Sequence, residues 1–301
     1  MKISVIIPTR KREKQLEKTL FGFNKQTVRD FEVIVIIDGK DDKTLQMLNE
    51  FKNYKAKYPF TYFAYQDKGG AARARNKGVE MARGKYVLII GDDCYPDKKL
   101  IEEHLKFLTP SNACLGFIDW SNPNEFMKWI SPAGAQFRYN LIKDPNNVGW
   151  QSFWTANISY PSKWHKYEQF DEKNFKDAAM EDIDLGYRFW RRRLKTILNM
   201  NAMVYHHHPY TLEQFAKRME KVGYYTIVMI NKYKKKGDRE AVFRMTRRYA
   251  PFIFLPFGTR LFKYSALILS KFVEPIAKKP YWLFTLCYHF ALGIEKYENK
   301  L

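Results

Sequence analysis

The first ninety residues alternate short apolar runs with amphipathic segments, and that alternation restricts the chain to one class of fold. Ile3–Ile7, Phe31–Ile37, Thr61–Tyr65 and Tyr86–Ile90 are apolar runs of strand length. Between the first two, Leu16, Leu20 and Phe23 recur at helical spacing within Glu13–Asn24. Leu45, Leu48 and Phe51 do the same within Thr44–Phe51, and Ala71–Ala82 reads as a third helix opened by Gly69-Gly70. Repeated β-α-β units with short links predict a mainly parallel sheet flanked by helices, an α/β fold. In open sheets of this kind, ligands bind beyond the carboxyl ends of the strands.

Acidic residues stand at those ends. Asp38-Gly39 closes the second run, and Gly91-Asp92-Asp93-Cys94 directly follows Tyr86–Ile90. Adjacent carboxylates repel unless a cation, donors or protonation offsets their charge, and hard oxygen ligands suit Mg²⁺ or Mn²⁺. Thr9 and Arg10 end the first strand, so they face the same crevice as Asp38. Arg75 lies near the start of the helix behind Gly69-Gly70, where an anion is favoured and a guanidinium can hold a phosphate or base oxygen. Further on, Glu181-Asp182 opens an amphipathic helix reaching Arg193. A strand over Ala202–His206 leads into His206-His207-His208, and period two puts His206 and His208 on one face. The segment from 110 to 175 is irregular and rich in Trp, Asn, Pro and Gly, the composition of a mixed sheet and loops over a binding cleft.

Five pieces taken in order, Val5-Ile6-Ile7-Pro8-Thr9-Arg10, Val35-Ile36-Ile37-Asp38-Gly39, Ala74-Arg75-Asn76-Lys77-Gly78, Gly91-Asp92-Asp93 and Glu181-Asp182-Ile183-Asp184-Leu185, resemble a family 2 glycosyltransferase of the inverting GT-A type. Phe170-Asp171-Glu172 precedes the last piece, and the resemblance covers about residues 1–210. It implies that Pro8, Thr9, Arg10, Asp38, Arg75 and Asp92 contact the nucleotide, with Asp38 at the base and Asp92 at the ribose. Asp93 would hold Mg²⁺ or Mn²⁺ on the donor diphosphate, completed by His206 or His208. Asp182, beside Glu181, would be the catalytic base, with Asp184 as the alternative base or its support. Trp150 and Trp154 are candidate contacts to acceptor or donor sugar, aromatic faces being able to stack on sugar rings, with core packing as the equal alternative. The chain departs from the pattern at Ile37 and Gly91, where the family often carries further acids. It lacks the Gln-x-x-Arg-Trp sequence of the processive synthases, which favours addition of single sugars.

The formal charge is +20, of which residues 211–301 carry +11, with 18 Lys and Arg against 7 Asp and Glu. Such an excess implies a polyanionic neighbour. Aromatic and aliphatic residues are interleaved with the basic runs Lys234-Lys235-Lys236, Arg247-Arg248 and Lys278-Lys279. The apolar run Tyr281–Ile294 is shorter than the roughly 20 residues a spanning helix needs. We therefore expect a catalytic domain over 1–210 and a helical region over 211–301, broken at Gly237, Pro251, Pro256, Pro275 and Pro280, that associates with an anionic membrane surface. Three cysteines without metal-site spacing, and an N-terminal apolar run too short for a signal peptide, point to a cytoplasmic protein peripheral to the membrane.

The resulting expectation is an inverting, metal-dependent glycosyltransferase. It moves a sugar from a nucleotide-sugar, UDP-sugar favoured, to a saccharide or polyprenyl-diphosphate-linked acceptor, with no nucleic acid partner. A nucleotidyltransferase would need a glycine-rich phosphate loop where Pro8-Thr9-Arg10-Lys11 has no glycine. The non-enzymatic alternative is an inactive, basic GT-A-like protein that binds a membrane surface or nucleic acid.

Overall fold

The computed structural model describes residues 1–130, 136–207, 209–249 and 258–299. They fall into two compact units, Met1–Pro123 with Ile130–His208, and Asn124–Trp129 with Pro209–Leu301. The first runs β1 (Ile3–Thr9), α1 (Glu13–Phe23), β2 (Phe31–Ile37), α2 (Asp42–Tyr54), β3 (Phe60–Ala64), α3 (Ala71–Met81), β4 (Tyr86–Ile90), β5 (Cys94–Pro96), α4 (Leu100–Phe107) and β6 (Asn112–Trp120). After α5 (Glu125–Ile130), which lies almost wholly in the second unit, it resumes with β7 (Asn157–Pro161), α6 (Glu181–Arg191) and β8 (Lys195–His206).

The eight strands form one sheet in the order β3-β2-β1-β4-β7-β6-β8-β5. The first four are mutually parallel, as the β-α-β alternation requires. β7 then enters antiparallel between β4 and β6, so the irregular segment supplies strands as well as loops. Period two divides the strands between two apolar layers. Ile3, Val5 and Ile7 face Leu16 and Leu20 of α1, Phe51 of α2 and Leu100 of α4, while Ile6 and Ile89 face Val79 of α3 and Leu185 and Phe189 of α6. Burial on both faces is why these strands read as continuous apolar runs.

β8 starts at Lys195 rather than Ala202, because Asn199 and Asn201 interrupt its apolar pattern. It pairs parallel with β6, but the register jumps from Gly116↔Asn199 to Phe117↔Met203. The Asn157 side chain donates to the carbonyls of Phe117 and Ala202 at 3.1 and 2.8 Å, pinning this bulge from the neighbouring strand. Beyond it, His206 lies opposite Trp120 on one side and Cys94 of β5 on the other.

The second unit contains α7 (Leu212–Lys235), α8 (Arg239–Tyr249), α9 (Gly258–Val273) and α10 (Lys278–Glu298). Thr211 and Gln214 form a reciprocal capping box at the start of α7. Pro280 sits in the first turn of α10, where a missing N–H costs no helical hydrogen bond, so it begins a helix rather than separating two. Pro251, Pro256 and His208 lie outside the described residues. Phe126 of α5 packs edge-on to Trp282 at 5.4 Å and to Phe215 at 6.0 Å. Where α7 crosses α10, Gly223 and Gly293 bring the backbones together, and an added Cβ at either would collide with the carbonyl oxygen of Phe290 or Glu220. Gly223→Ala is therefore expected to force the helices apart and destabilise the protein by about 1–3 kcal/mol, measured by denaturant unfolding.

Candidate active site

Three helices of the first unit begin at the carboxyl edge of the parallel strands, and none of the three has a side-chain cap. α1 starts from Arg12, α3 from Gly70 with φ +95°, and α6 from Met180 with φ +69°. By contrast, α2 is capped by Asp41, whose side chain accepts from the Thr44 N–H. Uncapped N-termini leave backbone donors for an anion. Left-handed backbone at a non-glycine residue such as Met180 is uncommon and concentrates at functional sites.

Arg12 has its side chain turned to the aspartates instead of its own helix. Lys11, at φ +54°, turns the chain out of β1, and its N–H donates to Asp41 at 2.6 Å. A single guanidinium nitrogen of Arg12 then donates to Asp92 Oδ1 at 3.2 Å and to Asp93 Oδ2 at 2.7 Å. Thr9 Oγ1 donates to Asp92 Oδ2 at 2.8 Å, and Thr19 of α1 donates to the Asp92 carbonyl at 3.0 Å. Burial and the neighbouring charge of Asp93 raise the Asp92 pKa, while Arg12 and Thr9 oppose that rise. Sequence reading missed Arg12. The signal available was an arginine at a helix start where Ser, Thr, Asp or Asn would normally stand.

The pairing of β5 with β8 brings His206 to Asp93, Nε2 to Oδ1 at 3.5 Å. Ligand atoms of Asp93, Cys94 and His206 lie within 4.8 Å of one another. Burial and the Asp93 charge hold the Cys94 thiol pKa well above its ordinary value, and a soft sulfur is a poor match for the hard cations Mg²⁺ and Mn²⁺. A carboxylate and an imidazole remain, a donor pair that fits Mn²⁺ or Mg²⁺ with further oxygens from a diphosphate. His207 turns away and meets the Ser121 hydroxyl at 2.6 Å. The Trp120 ring lies edge-on to His206 at 4.7 Å, another neighbour that sequence reading missed.

A second acidic centre stands at the start of α6. Asp182 accepts from its own helix at the Ile183 N–H, 2.8 Å, and from the Thr155 N–H at 3.4 Å. Burial first, and then the Glu181 charge, push its carboxyl up to about 6, against Arg75 and those two N–H groups. Arg75 is buried and pairs with Glu181 at 2.5 Å, so the structure ties it to the acidic pair. Arg75 Nε and Glu181 Oε2 are both buried without a hydrogen-bond partner. Asp184 is fully buried and clamped by Arg188 at 2.9 and 2.8 Å, which keeps a substrate hydroxyl from it and makes Asp182 the accessible carboxylate of this turn.

The remaining expected residues divide. Asp38 is buried at the end of β2 and accepts from the N–H groups of Gly69, at 2.7 Å, and Gly70, at 3.0 Å, which fixes the loop that begins α3. Pro8 is partly buried at the end of β1, and Arg10 is exposed beside it. Asn76 joins α3 to the Phe170-Asp171-Glu172 segment, donating to the Phe170 carbonyl at 2.9 Å and to Glu172 at 2.6 Å. Trp154 is half-buried against Tyr139, at 5.1 Å, and Phe137, whose ring is 6.3 Å from that of His206. Trp150 is only 2% exposed and packs on Tyr187, so it belongs to the core and has no face to offer a sugar.

A curated relative, the dolichyl N-acetyl-alpha-D-glucosaminyl phosphate 3-beta-D-2,3-diacetamido-2,3-dideoxy-beta-D-glucuronosyltransferase of Methanococcus voltae, is 25% identical over 247 residues, 76% of this chain and 74% of that protein. Several relatives are longer, and the chain spans only about a quarter to a third of the first curated proteins that it matches. Among solved structures, the mannosyltransferase PcManGT of Pyrobaculum calidifontis with GDP-Man and Mn²⁺ superposes with a TM-score of 0.66 at 14% identity, covering 99% of this chain and 87% of that one. S. aureus TarS 1-349 with UDP gives 0.60 at 18% identity, covering 100% and 92%. These likenesses establish the GT-A fold. The model of the family described as Glycosyl transferase family 2 matches residues 4–178, more than half of the chain, and the chain belongs to that family.

Proposed function

We propose that the protein is an inverting, metal-dependent transferase that moves one sugar at a time from a nucleotide-sugar, UDP-sugar favoured, to a saccharide or lipid-linked saccharide. The observation that carries this reading is the meeting of Asp93 and His206 at one strand end, with Asp92 held beside them by Thr9 and Arg12. Mg²⁺ or Mn²⁺ held by Asp93 and His206 would neutralise charge developing on the departing nucleoside diphosphate. Asp92 would take hydrogen bonds from ribose hydroxyls. The Arg12 guanidinium and the uncapped start of α1 supply positive potential for the diphosphate.

Asp182 accepts the proton of the acceptor hydroxyl as that oxygen attacks the anomeric carbon. Attack from the side opposite the leaving group inverts the anomeric configuration. A carboxyl raised to about 6 remains ionised at neutral pH yet is a stronger base than an ordinary aspartate. Glu181 raises it, and Arg75 holds Glu181 in place.

UDP in the TarS complex and GDP-Man with Mn²⁺ in the PcManGT complex support a metal-assisted nucleotide-sugar donor. The dolichyl phosphate substrate named for the Methanococcus voltae enzyme supports a lipid-linked acceptor. Thermal unfolding with a panel of nucleoside diphosphates and nucleotide-sugars, each with and without Mn²⁺, tests the donor site. A melting-temperature rise for UDP that needs Mn²⁺ is expected. No rise for any nucleotide would overturn the reading.

A further inference from the structure

α9 is amphipathic in the reverse of the usual sense. Its polar residues Lys263 and Ser270, 8% and 6% exposed, face the helices packed against it, together with Ala266. Lys263 donates to both carboxylate oxygens of Glu295 on α10, at 2.7 and 2.6 Å, and Ser270 returns its hydroxyl to the Leu267 carbonyl at 2.8 Å. The opposite face carries Leu261, Tyr264, Ile268, Leu269 and Phe272, with Ile268 and Phe272 66% and 69% exposed. Leu261, Tyr264, Ile268 and Phe272 recur every three or four residues and Leu269 flanks them, so they form one apolar stripe along the helix in which the small Ser265 is the one exposed polar side chain. Ile276, 70% exposed, continues it past the helix end.

A helix facing water normally hides its apolar stripe and shows its lysines. Contiguous exposed apolar surface marks an interaction site. Here an ion pair occupies the inner face while the large aliphatic and aromatic side chains point outward. Charge on the border of the stripe identifies what covers it. By helical geometry Arg260 and Lys271 lie together along one edge, and both are exposed. Lys278 and Lys279, also exposed, follow at the start of α10. A second copy meeting this face would bring the same cations against each other. A surface of anionic headgroups over acyl chains complements both the stripe and its border.

We propose that the outward face of α9 is a membrane-docking surface that lies in the interface of an anionic leaflet, with Leu261, Ile268 and Phe272 in the acyl boundary and Arg260 and Lys271 at the headgroups. No helix among the described residues is long and apolar enough to cross a bilayer, so this attachment is interfacial. It stands independently of the transfer chemistry.

Flotation of the full-length chain tests it, using vesicles of phosphatidylcholine alone and vesicles containing phosphatidylglycerol. The protein floats with the anionic vesicles, and more weakly as salt is raised. The double variant Ile268→Glu/Phe272→Glu loses at least about tenfold in partitioning, the loss expected when two large apolar side chains no longer leave water. Both positions are exposed, so its circular-dichroism melting curve matches that of the parent. The milder Ile268→Ser/Phe272→Ser pair gives an intermediate loss. Absence of flotation, equal flotation of parent and double variant, or a parental dimer that the substitutions split would each overturn the proposal, the last in favour of a second copy.

Discussion

Asp182→Asn is expected to lower kcat by about 10³-fold while leaving Mn²⁺-dependent stabilisation by UDP intact, because the amide keeps the shape of the side chain but cannot accept a proton. Steady-state kinetics beside thermal unfolding separates the two effects. A kcat within tenfold of the parent would remove Asp182 from the mechanism. The same residue sets a pH dependence. Its carboxyl, raised to about 6 by burial and by Glu181, is protonated below that pH and is then too weak a base to take the acceptor proton. Activity should therefore fall on the acid side with an apparent pKa near 6, a value belonging to the Glu181-Asp182 pair. Glu181→Gln removes a charge that raises it, so the acid limb should move to lower pH.

Asp93→Ala should weaken Mn²⁺-supported UDP binding by at least about a hundredfold, since loss of even an outer-sphere partner typically costs 10–100-fold in metal affinity. Calorimetric titration of UDP with and without Mn²⁺ reads it directly. Arg12→Ala makes the informative contrast. Its guanidinium contacts the same Asp93 carboxylate, so in the absence of nucleotide its removal should tighten Mn²⁺ binding, and in the presence of UDP it should weaken the complex by taking away a diphosphate donor. Mn²⁺ bound more weakly by Arg12→Ala without nucleotide would show that Arg12 organises the carboxylates rather than competing for them.

The parallel half of the sheet was legible because β1, β2 and β4 are covered on both faces, which leaves uninterrupted apolar runs such as Val33–Ile37. The helices on those faces were legible from their stripes. β8 was legible only at its end, since its first half carries Asn199 and Asn201 on a bulge that no periodicity announces. At the site, residue types at strand ends pointed to Asp92, Asp93 and Asp182, but partners distant in sequence did not show. Arg75 reaches a carboxylate 106 residues away, and Arg12 reaches carboxylates 80 and 81 residues away, distances over which only the fold decides who meets whom. For Trp150 a sugar contact and core packing were equal readings, and burial against Tyr187 favours the second.

The three-residue jump between β6 and β8 makes the metal centre a matter of chain length as much as of chemistry. Side chains alternate along a strand, so removing one residue between Asn199 and Met203 would leave a passable strand while exchanging the faces of everything after it. His206 would then turn from Asp93, and His207 would take its direction. The exposed Met200 and Asn201 can be substituted while Asn157 holds the bulge, but an insertion or deletion there rewires the site without touching a single ligand. Among relatives that keep a histidine at this strand end, the number of residues before it is the quantity that selection should hold constant.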